Sequence, residues 1–306
     1  DVGVQLRGGA HPMGKIPHPS LAILTNACNT YLKWGEIWER MYPSAKIFAL
    51  DTPGSRSLKK KDWKTDPNFE NDRRYVEYQI RELITLCEEI TGKKFDVDKL
   101  RETMRYTNLM TAAYARLLEV NKANPAPYNA LNEGTIYLGV ANALRGTHEG
   151  AKYFQDLVEE MEYKAAHHIG TLTQEKYRLT FVGVPCYPIF RRFYELFSEW
   201  GGTFVNSTYL AFAAGGLNVG FQYDLDQPME SLAEGTLVGL RHAMDAMFFQ
   251  NEWLVEMIGT YNIDGIVYHP IKSCRTVSTG LADNRRAVMA AHDIATLFIE
   301  SDMMDK

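Results

Sequence analysis

Cysteine is scarce in this chain, and its scarcity excludes several classes of protein. Only four cysteines occur in 306 residues, at Cys28, Cys87, Cys186 and Cys274, and no two of them form a Cys-x-x-Cys pair. Small secreted domains that depend on disulfides have a much denser cysteine framework. A structural zinc site uses close local pairs of Cys or His, and this sequence has none. We therefore expect a protein of the reducing cytoplasm without a disulfide framework.

Long apolar runs, basic blocks and nucleotide-binding loops are missing as well. No run approaches the roughly 20 apolar residues of a membrane-spanning helix, and residues 1–20 lack the apolar core of a signal peptide. The net charge is −5 without a long basic block, which argues against nucleic acid as a partner. The Gly- and Ala-rich loop at 213–220 has no Gly-Lys-Ser/Thr, so we assign no ATP hydrolysis to this chain.

Apolar runs and helical periodicities alternate along the chain in the order of an α/β protein. Strands are predicted over 21–27, 46–51, 179–184, 203–208, 265–269 and 295–300. Helices are predicted over 30–41, 73–91, 96–122, 128–144, 148–168, 189–200, 231–249, 252–261 and 282–292, with a loop over 210–228. A strand, a helix and a further strand in succession predict a parallel sheet with a right-handed crossover.

The predicted fold is α/β, with two Rossmann-like (flavodoxin-like) parallel-sheet lobes and a helical insertion between them. Residues 1–60 are expected to be the remainder of the first α/β lobe, whose N-terminal part is missing from this sequence. Residues 61–170 are expected to form a mainly helical segment. Residues 171–306 are expected to form the second α/β lobe.

Two of the four cysteines come after predicted strands. Cys28 follows the strand over 21–27 and opens a helix, whereas Cys274 follows the strand Gly265–His269 and a short polar loop. Ligands of open α/β sheets bind at the carboxyl ends of strands, and a helix N-terminus stabilises a thiolate. Thiolates are the usual ligands of iron–sulfur clusters. We therefore predict that these two cysteines bind a cluster between two domains; the alternative is that each is a small buried apolar residue.

Cations and a histidine lie near these cysteines in sequence. Lys272 and Arg275 flank the second cysteine, and Lys33 lies one helical turn after the first. Cations there would raise the reduction potential of a cluster or bind an anionic ligand. His269 ends the strand before the second cysteine and is our candidate proton donor. An ordinary structural or solvated role is the alternative for each of these residues.

The remaining cysteines and histidines are weaker candidates. Cys186 follows a strand in a Pro-Cys-Tyr-Pro turn, whereas Cys87 lies within a helix and is expected in the core. His148 and the adjacent pair His167 and His168 are expected on the surface, because neighbouring helix positions point in different directions.

Four ordered motifs resemble those of one enzyme family. The second cysteine block of the benzoyl-CoA reductase / 2-hydroxyacyl-CoA dehydratase family is similar to Leu24-Thr-Asn-Ala-Cys28-Asn-Thr-Tyr, followed by Ala49-Leu-Asp-Thr-Pro53. The strand, turn and helix that open the family's last domain are similar to Val182-Gly-Val-Pro-Cys-Tyr-Pro188. The last cysteine block is similar to Asp264-Gly-Ile-Val-Tyr-His-Pro-Ile-Lys-Ser-Cys274, and the strand after it to Leu297-Phe-Ile-Glu-Ser-Asp-Met303. The Asn-Thr-Tyr after Cys28 favours the benzoyl-CoA reductase branch, since dehydratases often have Asp directly after this cysteine.

The resemblance implies a cluster-binding subunit, most like the B-type subunit of an ATP-dependent benzoyl-CoA reductase. It implies a [4Fe–4S] cluster bound by three cysteines, of which Cys28 and Cys274 match the second and third. The first is expected in a segment before Asp1. The implied partners are a homologous second cluster-binding subunit, ATP-hydrolysing activator subunits, a ferredoxin as upstream donor and an aromatic acyl-CoA substrate.

The function expected from this resemblance is low-potential reduction of benzoyl-CoA to a dienoyl-CoA in an anaerobic, cytoplasmic hetero-oligomer. One alternative within the family is a 2-hydroxyacyl-CoA dehydratase subunit, which uses a recycled electron to eliminate water. A second alternative is a non-catalytic paralogue that only supports an active partner. A third is an iron-free α/β protein that binds a nucleotide or a sugar.

Overall fold

The chain divides into two compact units. A computed structural model describes residues 18–26, 29–54 and 65–302, with the backbone alone described at residues 29, 211–212, 242–250 and 275–276. One unit comprises Asp1–Thr52 and Tyr78–Phe95, as far as these are described, and the other comprises Pro53–Glu77 and Asp96–Lys306. The predicted division into 1–60, 61–170 and 171–306 concerns sequence segments and stays a prediction.

The first unit contains one strand–helix–strand element. Strand β1 (Leu21–Thr25) runs into helix α1 (Asn29–Met41) and then strand β2 (Lys46–Leu50). The two strands pair in parallel, with Ala22 opposite Ile47. The predicted parallel arrangement of this part of the chain is therefore confirmed.

Polar side chains fix the carboxyl ends of β1 and β2. Helix α2 (Phe69–Thr91) carries Gln79, whose side-chain amide accepts from the Asp51 N–H and donates to the Asp51 carbonyl, both at 2.8 Å. The Asn26 side chain accepts from the Thr52 N–H at 2.8 Å and also hydrogen-bonds the Asp51 carboxylate. These bonds satisfy main-chain groups that the short sheet leaves unpaired.

The second unit contains a four-stranded parallel sheet. Its strands are β3 (Tyr177–Gly183), β4 (Gly202–Ser207), β5 (Gly265–His269) and β6 (Ala295–Phe298). They lie in the order β4-β3-β5-β6, and all neighbours are parallel. This is the first part of the flavodoxin-like order 2-1-3-4-5, so the strand order reverses between β3 and β5. Together with the β1–β2 pair, this sheet confirms the predicted α/β class with two parallel sheets.

Alternate residues of these strands pack against helices on the two faces of the sheet. Val182, Val205, Ile266 and Tyr268 form one core with helices α8 (Pro228–Tyr261) and α10 (Leu281–Ala291). Phe181, Phe204 and Val267 form the core of the opposite face with helix α6 (Phe190–Ser198). A period of two residues produces this division, since successive strand side chains point to opposite faces. Burial on both faces explains why these strands are nearly continuous apolar runs.

The helices between the sheets form a further core. Helices α3 (Val97–Val120) and α5 (His148–Ala166) pack around Met110, Tyr114 and Phe154. Both begin as predicted. The Asp96 carboxylate accepts from the N–H groups of Asp98 and Lys99, and the Thr147 hydroxyl accepts from the Gly150 N–H, so each side chain satisfies donors at a helix start.

Three predicted element boundaries differ from the structure. Helix α4 is Glu133–Ala143 and begins five residues later than predicted, because the Asn129 side chain accepts from the N–H groups of Leu131 and Asn132 and forms a turn. The predicted loop over 210–228 contains helix α7 (Thr208–Ala213), which the Ser207 hydroxyl caps by accepting from the Tyr209 N–H. The apolar residues of that helix are buried at Leu210 and close by at Ala214.

The two helices predicted over 231–249 and 252–261 are one continuous helix, α8. The polar stretch around Asn251 suggested a break, but this side chain accepts a hydrogen bond from the Asn284 amide of α10 at 2.9 Å. A tertiary contact of this kind replaces the solvent that such a residue would otherwise seek. No helix in the described part of the chain combines the length and apolar character needed to cross a membrane.

Candidate functional site

The strand order places a crevice between the carboxyl ends of β3 and β5. Ligands of doubly wound sheets bind at such a reversal point, because the two crossover connections leave the sheet in opposite directions there. The loop after β3 contains Cys186 and Tyr187, and the loop after β5 contains Cys274. The second unit therefore brings two of the four cysteines of the chain to the edge where a ligand is expected.

Cys274 is a free, partly exposed thiol at this edge. Its N–H donates to the Ile271 carbonyl at 3.4 Å, and its own carbonyl accepts from the Ser278 N–H at 3.2 Å. The Ser278 hydroxyl also donates to the Ile271 carbonyl, at 2.8 Å. These bonds close the loop into a tight turn before the short helix α9 (Arg275–Ser278). The thiol is thus presented on an ordered main chain and remains accessible to a ligand.

The other two described cysteines have different surroundings. Cys186 is buried in an apolar pocket, also lined by Leu131, Phe181, Pro185, Phe190, Phe193 and His269. Cys87 lies on α2 and is partly exposed, whereas the sequence had suggested a place in the core. An apolar environment disfavours a thiolate, which makes Cys186 a poor ligand compared with Cys274.

His269 is almost completely buried, with 1% of its surface exposed. Its Nδ1 lies 2.6 Å from the Val184 carbonyl oxygen, and its Nε2 lies 2.7 Å from Ser301 Oγ. The rings of Phe181 and Phe193 pack near the imidazole. Both ring nitrogens therefore have protein partners. The assignment of His269 as a proton donor stays a prediction.

The Cys274 loop also contacts the segment that follows β6. Ile271 and Ser301 form a parallel bridge, and the Lys272 N–H donates to the Ser301 carbonyl at 3.1 Å. The Ser273 hydroxyl donates to the Asp302 carboxylate at 2.5 Å. Ser301 and Asp302 were not singled out as site residues in the sequence. They lie in the last of the four family-like motifs, which was the available signal.

A glycine at the end of β3 allows the two strands to approach closely. Gly183 has φ of 130°, and a Cβ at this position would lie 2.4 Å from the His269 carbonyl oxygen. A residue with a side chain would have to adopt a rarely populated backbone conformation and would also collide with the β5 main chain.

We predict that Gly183→Ala lowers the free energy of unfolding by about 1–3 kcal/mol, from the backbone strain alone. Gly139→Ala is the matched control, because Gly139 lies in α4 and a methyl group added there would have no atom within 4 Å. That substitution should be neutral or stabilising by up to about 1 kcal/mol. Urea unfolding of the two variants checks both expectations. Equal stability of Gly183→Ala and the wild type would contradict the proposed close approach.

Two tyrosines meet at the same edge of the sheet. The hydroxyl groups of Tyr187, in the loop after β3, and Tyr209, in α7, hydrogen-bond each other. Burial raises the pKa of Tyr187, so this phenol stays protonated at neutral pH. The pair ties the loop that carries Cys186 to the helix that follows β4.

The remaining predicted site residues are placed as follows. Cys28 lies outside the described residues. Lys33 is on α1, where its ammonium group pairs with Glu36 at 2.7 Å, and this hydrogen bond lowers the pKa of Glu36. Lys272 is exposed and lies 4.0 Å from Glu300, and only the backbone of Arg275 is described. Among the described residues, no three or more His, Cys, Asp or Glu side chains are grouped so that they would bind a metal ion.

Comparison with known proteins gives a consistent result along the whole chain. The family model described as 2-hydroxyglutaryl-CoA dehydratase, D-component, matches residues 1–306. The B-type subunit of the benzoyl-CoA reductase of Thauera aromatica is 31% identical over 318 residues, which cover 100% of this chain and 70% of that protein.

Two further relatives are named as dehydratase subunits. The alpha subunit of (R)-2-hydroxyglutaryl-CoA dehydratase of Acidaminococcus fermentans is 26% identical, over 95% of this chain and 57% of its own length. The alpha subunit of (R)-phenyllactyl-CoA dehydratase of Clostridium sporogenes is 26% identical, over 95% of this chain and 67% of its own length. The chain thus spans between about half and two thirds of the length of these dehydratase subunits.

Proposed function

This chain belongs to the 2-hydroxyglutaryl-CoA dehydratase D-component family, and from that premise we propose that it is an iron–sulfur subunit of a low-potential acyl-CoA reductase. The proposed reaction is the reduction of an aromatic acyl-CoA, benzoyl-CoA, to a dienoyl-CoA. The observation that carries the proposal is the accessible Cys274 thiol in an ordered loop at the reversal point of the sheet.

The described residues fit one ligand of a [4Fe–4S] cluster. Cys274 is accessible and takes part in no disulfide, and its loop is held by main-chain hydrogen bonds. We propose Cys28 as a second ligand, from the resemblance of its motif to the family. When bound, such a cluster supplies single electrons at low potential.

The chain itself would orient the thiolate and limit the access of water. The apolar pocket beside the Cys274 loop presents the rings of Phe181, Phe190 and Phe193 at the same end of the sheet. An apolar wall reduces the access of bulk protons, which would otherwise consume low-potential electrons. Lys272 is exposed at the loop, where its charge would attract an anionic ligand such as a CoA thioester. Arg275 and Lys33 are proposed for the same role from their sequence positions.

The proposed partners follow from the names of the relatives, which are subunits of larger enzymes. We propose that this chain works with a homologous second cluster-binding subunit, with ATP-hydrolysing activator subunits and with a ferredoxin as the upstream electron donor. A cytoplasmic location is part of the same proposal.

A 2-hydroxyacyl-CoA dehydratase subunit is the second candidate, favoured by the family model and by the dehydratase relatives. The reductase is preferred because the benzoyl-CoA reductase subunit is 31% identical to this chain and the two dehydratase subunits are each 26% identical. A paralogue without activity of its own would still bind a cluster, and an iron-free nucleotide- or sugar-binding protein would be colourless.

The stoichiometry of turnover separates the two enzyme candidates. Reduction of an aromatic ring to a diene takes up a pair of electrons and a pair of protons for every product molecule, whereas elimination of water consumes no net electrons. The assembled complex should therefore oxidise its donor in step with the dienoyl-CoA formed. Product formation without net donor consumption, on a 2-hydroxyacyl-CoA, would instead establish the dehydratase.

A spectroscopic measurement separates an active subunit from a supporting paralogue. The iron-loaded protein should change its electron paramagnetic resonance spectrum when the acyl-CoA is added under reducing conditions. An unchanged spectrum, in a complex that turns over, would assign the chemistry to another subunit.

A further inference from the structure

The loop that carries Cys274 is attached to the segment after β6 by three separate contacts. They are the bond between His269 Nε2 and Ser301 Oγ at 2.7 Å, the bond from Lys272 N–H to the Ser301 carbonyl at 3.1 Å, and the bond from Ser273 Oγ to Asp302 at 2.5 Å. We call this set of contacts the loop clamp. Two of the three use side chains that have no other assigned role.

The hydrogen positions in the clamp follow from the partners of the imidazole. A carbonyl oxygen only accepts, so the contact with Val184 requires the hydrogen of His269 to be on Nδ1. In the neutral ring Nε2 then accepts from the Ser301 hydroxyl. The alternative acceptor of that hydroxyl, the Asp302 carbonyl at 3.3 Å, is more distant than the ring nitrogen at 2.7 Å.

This arrangement lets one side chain connect three neighbouring parts of the chain. His269 is the last residue of β5, Val184 follows β3, and Ser301 follows β6. The ring is almost completely buried and packs near Phe181 and Phe193. A buried group with both nitrogens satisfied fixes geometry at low cost and presents no nitrogen to a ligand.

We propose that His269 is a positioning residue for the thiolate of Cys274, acting through Ser301 and supported by the Ser273–Asp302 contact. This inference rests on the proposed function and differs from the proton-donor role expected from the sequence. Partners that orient a metal ligand commonly affect the affinity and redox behaviour of a metal site without touching it.

Substitutions at Ser301 test the clamp without removing the imidazole. Ser301→Ala deletes the hydroxyl but keeps the main-chain contacts of residue 301, whereas Ser301→Thr keeps a hydroxyl group. Ser273→Ala removes the exposed contact and carries little risk for folding. Ser198→Ala is the matched control, since that hydroxyl donates to the Tyr194 carbonyl within α6.

The first measurement uses the metal-free protein, so it does not depend on the cluster. Amide hydrogen exchange of residues 270–274 should be about tenfold faster in Ser301→Ala, as expected for the loss of one net hydrogen bond. It should return towards the wild-type rate in Ser301→Thr and stay at that rate in Ser198→Ala. Wild-type exchange in both Ser301→Ala and Ser273→Ala would overturn the clamp.

The second measurement uses the iron-loaded protein. Release of iron to a chelator should be about tenfold faster in Ser301→Ala than in the wild type, with an altered paramagnetic resonance spectrum and recovery in Ser301→Thr. Faster exchange with unchanged iron release and spectrum would overturn the positioning role, since His269 would then only stabilise the loop. Wild-type protein that binds no iron would defeat the proposed function, while the exchange measurement would still decide whether the clamp exists.

Discussion

Replacement of Cys274 by alanine is expected to reduce the bound iron and acid-labile sulfide to below about a tenth of the wild-type content, because loss of an orienting neighbour alone costs roughly 10- to 100-fold in metal affinity and loss of a ligand costs more. The reason is local: Cys274 is the accessible described thiol at the reversal point of the sheet. The measurement is iron and sulfide analysis of protein purified without oxygen. Cys28→Ala is expected to have the same effect.

Cys87→Ala is the matched control for this loss. Cys87 is also a partly exposed free thiol, but it lies within α2 and away from any strand end. Its substitution should leave the iron content unchanged. If Cys274→Ala retained full iron while Cys87→Ala lost it, the ligand assignment would be wrong.

Arg178→Met is expected to lower the free energy of unfolding by about 3–5 kcal/mol, the usual result of removing one partner of a buried ion pair. Arg178 is 4% exposed and pairs with Glu175. Its guanidinium group also donates to the Tyr261 carbonyl at 2.8 Å and the Ala123 carbonyl at 3.0 Å. The substitution leaves a buried carboxylate and several carbonyl groups without their donor.

Two controls make this prediction specific. Lys152→Ala removes an exposed ion pair with Asp156 in α5 and should change stability by no more than about 1 kcal/mol. Arg178→Met combined with Glu175→Gln should recover part of the loss, because no buried charge is then left alone. Urea unfolding measures all three variants. A loss in Arg178→Met no larger than in Lys152→Ala would show that the buried pair contributes little.

The strands and their order along the chain were predictable because burial on both faces leaves a plain signal. Runs such as Gly265–His269 are apolar throughout, and turns with Gly or Pro bound them. The start of α4 was not predictable from periodicity, since the turn at Asn129 depends on which main-chain groups its side chain reaches. The continuity of α8 through Asn251 depends on a contact with Asn284, a residue of another helix.

The candidate site was predictable in part for a similar reason. Cys274 stands at a strand end in the sequence, and the strand order places that end at the reversal point. The surroundings of His269 were not predictable, because they require knowing that the segment after β6 returns to the β5 loop. Ser301 and Asp302 have no chemical signature in a single sequence that would mark them as partners of this loop.

The most direct test of the central claim is differential alkylation of the thiols, resolved by peptide mass spectrometry. Protein purified without oxygen is treated with iodoacetamide before and after removal of iron with a chelator. We predict that Cys274 and Cys28 are both protected in the iron-loaded protein and both become reactive when iron is removed, while Cys87 reacts equally in the two samples. Equal reactivity of Cys274 in both samples would contradict the proposal that this thiolate binds the cluster.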